Sequence, residues 1–561
     1  MRRRGFPPAG IGIRYQAMFP RRDRLGIHVG LICAVLAADP NVRCQEQQEP
    51  PVSLIRSRDL MAHAEYLASD EFKGRLTGSV AQARAAKWIS NRLVQFGLEP
   101  MGDSIEARRT FEQHYSFRLS RISSESAVQF GQSRLSSGYS VLSAAPGLVA
   151  FDGAVQFVGL GTTRGAQSII GKGVRFDGLL PVAVIRPFRG QLDRVPSIAQ
   201  KFSMSLSVFR RLSNITRGLA ERGAKSVVFA IVDDSHGLSD VLSFMAVSPG
   251  QDLLLQGPKE AKSLMRGVIQ RAQKDQVIPT VVLSLTQSRQ LMAQLGVDQV
   301  KLKKALLGEG KMPAAKTATS SKLHIDVQHD EKAMTSNVVA LLRGADPVLR
   351  DEAIIFVVHM DHVGQRMDGQ VFNGADDNAS GVAGLLKIAG AFAMADPKPR
   401  RSVVFLSVSG EENGLWGSSY YTAHPAWPLD KTVAVINMDR IGRTGPNAKR
   451  LAVTVTPSYE HKAFSSLSQQ VATIAEQLGL QVESGDTWFA QSDHFPFSER
   501  GVPVVSFSDG ENADYHQLTD DADKLDGEKM ERIARLAFLT GWAVANAQER
   551  PRVLGRRDAW K

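Results

Sequence analysis

Residues 354–362 read Ile-Ile-Phe-Val-Val-His-Met-Asp-His, an apolar run without alternation that ends in His359, Asp361 and His362. A strand that is apolar at every position has both of its faces covered, the pattern of a parallel sheet layered by helices. Working outward, Val403–Val408, Val433–Asn437 and Val502–Phe507 read the same way, with helices expected over Ser380–Ala393 and Phe464–Gly479. Strand–helix alternation of this kind predicts an α/β fold: a mostly parallel, mixed sheet with helices on both faces. Upstream, a helical apolar spacing from Arg58 to Phe96 is broken by the turn Gly74–Ser79, and Gly97 is placed to cap the second helix.

Ligands of parallel sheets bind off the carboxyl ends of the strands. Each strand of the C-terminal half ends in residues able to hold a metal. They are His359-Met360-Asp361-His362, the loop Asn373–Gly381 with Asp376 and Asp377, Glu411-Glu412, Asp439, and His516 within Asp514-Tyr515-His516. Singly, each has an ordinary reading: a surface histidine, a helix cap, a solvated acidic pair. Five strand ends presenting His, Asp, Glu, Asp and His in order form the nitrogen and oxygen donor mix that zinc accepts.

HMDH, NGADDNASG, SGEENGLWGS, NMDRIGR and DYHQLTD, in this order, resemble the M28 family of dinuclear zinc aminopeptidases. YLASDEFKGRLTGS resembles the N-terminal part of the same catalytic domain. ERGAKSVVFAIVDD and VIPTVVLS give residues 126–319 a softer likeness to a protease-associated (PA) insertion. The resemblance implies two Zn²⁺ ions held by His359, Asp376, Glu412, Asp439 and His516, with Asp376 shared between them. A cis peptide bond is then expected between Asp376 and Asp377. It implies Asp361 as the carboxylate that orients the site and Glu411 as the general base; both are read as catalytic. His362, one position out of phase, is expected to project to the opposite face. Ser492-Asp493-His494 is expected in the pocket wall. The activity implied is removal of N-terminal residues from peptides or proteins. Arg440 and Arg443, just after Asp439, keep open a carboxypeptidase acting on acidic dipeptides. The full ligand set argues against a single-zinc glutaminyl cyclase and against a non-catalytic binding ectodomain. There is no G-x-S-x-G elbow and no HExxH helix.

The 561 residues are 43% hydrophobic and 22% charged, as in a folded protein of two or three domains. The net charge of +11 is concentrated at the ends, where residues 1–43 carry eight Arg against Asp23 and Asp39. The ordinary charge balance between the ends predicts no nucleic-acid partner. Leu25–Ala38, behind Arg21, Arg22 and Arg24, has the layout of a secretory signal peptide and is too short to span a bilayer. The expected mature N-terminus lies between Ala37 and Gln45, giving an exported protein without stable membrane insertion; Met18 offers an alternative start. Two cysteines, Cys33 and Cys44, exclude a disulfide framework. The expected organisation is a signal and flank (1–44), the first part of the catalytic domain (45–125), a β-rich PA-like insertion (126–319), the main catalytic part (320–550) and a basic tail (551–561). Lys303–Lys322 reads as a boundary or exposed loop, and Gly159–Gly165 as a surface turn. Oligomeric state and residue preference are not legible.

Overall fold

The computed structural model describes residues 50–555 apart from 143–145, 163–168, 172, 186–197, 235–237, 244–245, 262–277, 445–450 and 511. The expected signal peptide and most of the basic tail lie outside the described residues, as does the second half of the Gly159–Gly165 turn. No helix among the described residues is long and apolar enough to cross a membrane.

The strand Ala353–His359 is central and pairs in parallel with Ser402–Val408 and Thr432–Met438. Thr432–Met438 continues in parallel to Val504–Ser508. Ala452–Thr456 lies antiparallel beyond it, and residues 338–342 close the other side antiparallel to Ser402–Val408. Every residue of the three central strands is buried. Ile354, Phe356 and Val358 pack under the helices Ser57–Leu67, Val80–Gln95, Gly381–Met394 and Gly527–Asn546. Ile355 and Val357 pack on the other face with Tyr421, Trp427 and Phe497. Two covered faces explain why the strands are apolar throughout. The Val80–Gln95 helix is capped by Ser79, whose hydroxyl accepts from Gln82 N (3.1 Å), and ends before Gly97 at φ +73°.

Residues 126–319 add β-strands and helices with largely apolar cores of their own. Leu179–Val184, Val227–Ala230 and Thr280–Leu283 form a parallel set. The two halves are joined by one 23-residue strand, Ser320–Leu342. Its first residues pair with 147–154 and 127–130 of the insertion, and its last with the catalytic sheet. The ladder shifts register between Asp330 and Ala333. The expected boundary at 319/320 therefore falls ahead of a strand that both halves share. Lys303–Lys322 is likewise not a single loop: it begins inside the helix Gln299–Leu307 and ends inside this strand. Its Lys-rich composition marks the exposed face of that helix, since Leu302, Ala305 and Leu306 are buried.

Candidate metal centre

Beyond His359 the chain leaves the sheet, and its backbone is gathered by Arg75. This guanidinium, 1% exposed, donates to the carbonyls of Met360 (2.9 Å), Leu67 (2.6 Å), Asn373 (2.8 Å) and Gly374 (2.8 Å). One buried cation thus ties the loop after His359 to the loop that carries the paired aspartates.

His359 Nδ1 donates to the Asp361 carbonyl (3.2 Å), which turns Nε2 toward Asp439 Oδ1 (3.3 Å) and Asp377 Oδ1 (3.4 Å). His516 Nε2 lies 2.7 Å from Glu412 Oε2 and 3.2 Å from Asp377 Oδ2. His362 Nδ1 lies 2.7 Å from Glu412 Oε1. The donor atoms of His359, Asp377 and Asp439 lie within 4.8 Å of one another, as do those of His362, Asp377, Glu412 and His516. Asp377 belongs to both groups. Glu411 joins His359 and Glu412 in a third.

Asp361 Oδ2 accepts from the Thr77 hydroxyl (2.8 Å) and its Oδ1 from Glu411 N (3.3 Å), so this carboxylate links the His359 loop to the glutamate pair. Asp439 Oδ2 accepts from Ser492 (2.6 Å). Ser492 and His494 line the adjoining cavity, while Asp493 Oδ1 accepts from Ser418 (2.6 Å).

Three expectations are corrected. Asp376 is not in the cluster. Its Oδ1 accepts from Gly442 N (2.8 Å) and its Oδ2 from Asn512 (2.9 Å), on the far side of the loop. Asp377 takes the shared position, and the cis peptide bond is Asp377–Asn378 instead of Asp376–Asp377. The cause is local. Asp520 accepts from the amides of both Asp376 (3.0 Å) and Asp377 (3.1 Å), and non-helical dihedrals at Asp377 and Asn378 send the consecutive side chains apart. Asn378 braces the turn from the other side: its carboxamide oxygen accepts from Gly381 N (3.0 Å) and Arg440 N (3.1 Å). His362 also departs from expectation by facing into the cluster. Strand alternation ends at His359, and His362 N donates to the Arg75 carbonyl (3.3 Å), so the period-two rule no longer governs it. Ser492, read from the sequence as pocket wall, lines the cavity; Arg75, Thr77 and Asp520 lie in the quoted YLASDEFKGRLTGS and DYHQLTD stretches, but no role in the site is read for them from the sequence.

The electrostatics are those of crowded carboxylates. Burial, with Asp439, Asp493 and Glu412 nearby, holds Glu411 well above the usual carboxylate range despite His359. Burial opposes charge on His359, but Glu411 and Asp439 outweigh it and raise the imidazole well above its ordinary value. Burial alike opposes ionisation of Glu412, yet His516 and His362 carry it well below. His516 rises to about 9 against its own burial, through Glu412 and Asp377. Protonated imidazoles here satisfy a demand for positive charge that divalent cations would meet better, and the donors are nitrogen and carboxylate oxygen. The residues therefore fit zinc.

Residues 337–540 match the model of Peptidase family M28. A probable zinc metalloprotease of Leptosphaeria maculans is 26% identical over 257 residues, covering 39% of this chain and 59% of that protein. Aminopeptidase YwaD of Bacillus subtilis is 25% identical over 191 residues, covering 33% of this chain and 40% of that protein. These alignments thus span about half the length of the curated relatives. A solved zinc aminopeptidase from Bacillus subtilis superimposes with TM-score 0.52 and 15% identity, over 90% of this chain and 99% of that one; this likeness concerns the fold. Residues 337–540 thus resemble Peptidase family M28, and the parallel sheet and the ligand-bearing strand ends agree with that match.

Proposed function

We propose that this chain is an exported zinc aminopeptidase that hydrolyses the first peptide bond of peptides or proteins. The observation that carries the reading is the convergence of three carboxylates (Asp377, Glu412, Asp439) and three imidazoles (His359, His362, His516) in two donor groups that share Asp377. His359, Asp377 and Asp439 would hold one ion; Asp377, Glu412 and His516 would hold the second. Two overlapping groups fit a pair of ions better than one. When bound, the zinc pair supplies Lewis acidity toward the scissile carbonyl and lowers the pKa of water.

The chain's own residues do the rest. Glu411, half-buried beside His359 and Glu412, accepts a proton from the attacking water as its oxygen bonds to the carbonyl carbon. It returns the proton to the leaving nitrogen as the C–N bond breaks. Asp361 holds the Glu411 amide and the His359 loop in register. His362, against the second oxygen of Glu412, fixes the orientation of that ligand. The free α-ammonium of the substrate finds carboxylates at the rim of the centre. The names of the curated relatives and the family match support this reading, and the Leu25–Ala38 layout supports export. The patterns in 126–319 support a PA-like role for the insertion. The test is hydrolysis of alanyl and leucyl peptides beside their N-acetylated forms, before and after chelation. Cleavage of unblocked substrates only, lost on chelation and restored by Zn²⁺, is the expected result.

A further inference from the structure

The cavity beside the centre has one cation in its wall. Among its described lining residues, Asp377, Glu411 and Asp439 sit at the metal end, and Arg440 is the only Lys or Arg. Arg440 is 8% exposed, and its Nη1 is buried with no hydrogen-bond partner among the described residues. Tyr515 covers its guanidinium, with Cζ 4.8 Å from the ring centre. The nearest carboxylate oxygen that pairs with it is Asp439 Oδ1, 4.0 Å from Nε. Asp439 already faces His359 and accepts from Ser492. Asp509, which also feels the charge of Arg440, accepts from Arg443 N at 2.5 Å. The guanidinium is thus buried, held by its backbone against Asn378 (N to Oδ1, 3.1 Å) and stacked, yet without a close ion pair. An unpaired buried charge is costly, and a planar guanidinium matches a carboxylate with two donors.

We infer that Arg440 binds a carboxylate of the substrate close to the scissile bond, making it the residue that selects acidic substrates. The inference rests on the aminopeptidase reading of the cavity. One chemistry has two sources: the side chain of an N-terminal Asp or Glu, or the α-carboxylate of a short peptide.

The experiment has a turnover arm and a binding arm. Glutamyl and leucyl anilides are compared in kcat/KM, and Leu-Ala is compared with its amide. Calorimetry of the zinc-loaded protein measures isoglutamine, glutamine, leucine and leucinamide, which needs no turnover. A side-chain source predicts at least about tenfold preference for the glutamyl anilide and for isoglutamine over leucinamide. An α-carboxylate source predicts the same margin for Leu-Ala over its amide and for leucine over leucinamide. Arg440→Met should erase whichever preference is found, as expected when a site loses its matched polar partner. Arg440→Lys should keep part of it. Equal handling of acidic and neutral partners by the wild type, or a uniform fall on all of them in Arg440→Met, overturns the inference. The latter would make Arg440 a countercharge for Asp439 and Asp509. Cleavage of leucyl anilide with no acidic preference leaves the aminopeptidase reading intact. Absence of all cleavage removes that reading, and the binding arm still decides the role of Arg440.

Discussion

The catalytic sheet and the insertion are built from similar strands, but they treat charge in opposite ways. At the carboxyl ends of the catalytic strands, Asp361, Asp376, Asp377, Asp439, Asp493, Asp509 and Asp520 crowd together, most of them almost fully buried, along with Arg75 and Arg440. Among the described residues of 126–319, Asp240 is the only buried charged residue, and it pairs with Arg366 of the catalytic half at 3.0 Å. A buried charge is tolerated only where partners or metal ions compensate it. The insertion therefore reads as scaffold, and its contacts fall on the loops that carry ligands. Gln251 donates to the Val363 carbonyl (3.1 Å) and accepts from Gln365 N (2.8 Å), just beyond His362. Leu254 packs in one cluster with Trp416, at the start of the helix after the glutamate pair.

That contrast can be broken first at the centre. Glu411→Gln should lower kcat by at least about two orders of magnitude with both metals retained, whereas Glu412→Gln should lose metal and rate together. Metal analysis beside kcat separates them, and a Glu411→Gln enzyme that turns over normally would remove the general base. Asp377→Asn should cost a metal site outright. Asp376→Asn acts only through the loop and should weaken metal affinity by no more than about 10–100-fold. Stoichiometry by elemental analysis checks which aspartate is shared. Arg75→Met, which strands carbonyls of two ligand loops, should lower unfolding free energy by at least about 3 kcal/mol, since each buried unsatisfied acceptor costs about 1–3 kcal/mol; denaturant titration reads this.

Across the junction the effects are smaller. Gln251→Ala should cost about 1–3 kcal/mol and leave metal content unchanged, because it touches the loop and not the donors. Loss of zinc in that variant would give the insertion a direct part in the centre. Smallest is an acid effect in the helical layer. Burial, then Lys387 and Arg92, hold His63 down at about 4, below the ordinary value near 6.5. The folded state thus binds fewer protons than the unfolded state between those values. The contribution of His63 is complete above about pH 6.5 and is lost as pH falls toward 4. His63→Gln should make the decline of Tm across that interval shallower.

Much of this was legible before any fold was built. The unbroken apolar runs reported two covered faces, Ser79 and Gly97 marked the ends of one helix, and five strand ends located the centre. The errors came where local rules stop. Period-two alternation placed His362 outside because it assumes a strand, and the strand ends at His359. The pair Asp376-Asp377 offers two identical donors, and nothing in adjacent residues alone decides which one faces the metals.

The sequence by itself determined the layered sheet, the order of the ligand-bearing loops and the donor chemistry, because periodicity and residue type are local and survive without the fold. Only the tertiary structure decided that Asp377 is shared and that Arg75 joins two loops. It alone brought His362 onto Glu412, left Arg440 without a close ion pair in the cavity wall and ran one strand through both halves. Each of these depends on contacts between residues far apart in the chain. Asp520 reaches back to the amides of Asp376 and Asp377, and Arg75 reaches forward to Asn373 and Gly374. Such side-chain directions are set by partners that a linear reading does not bring together.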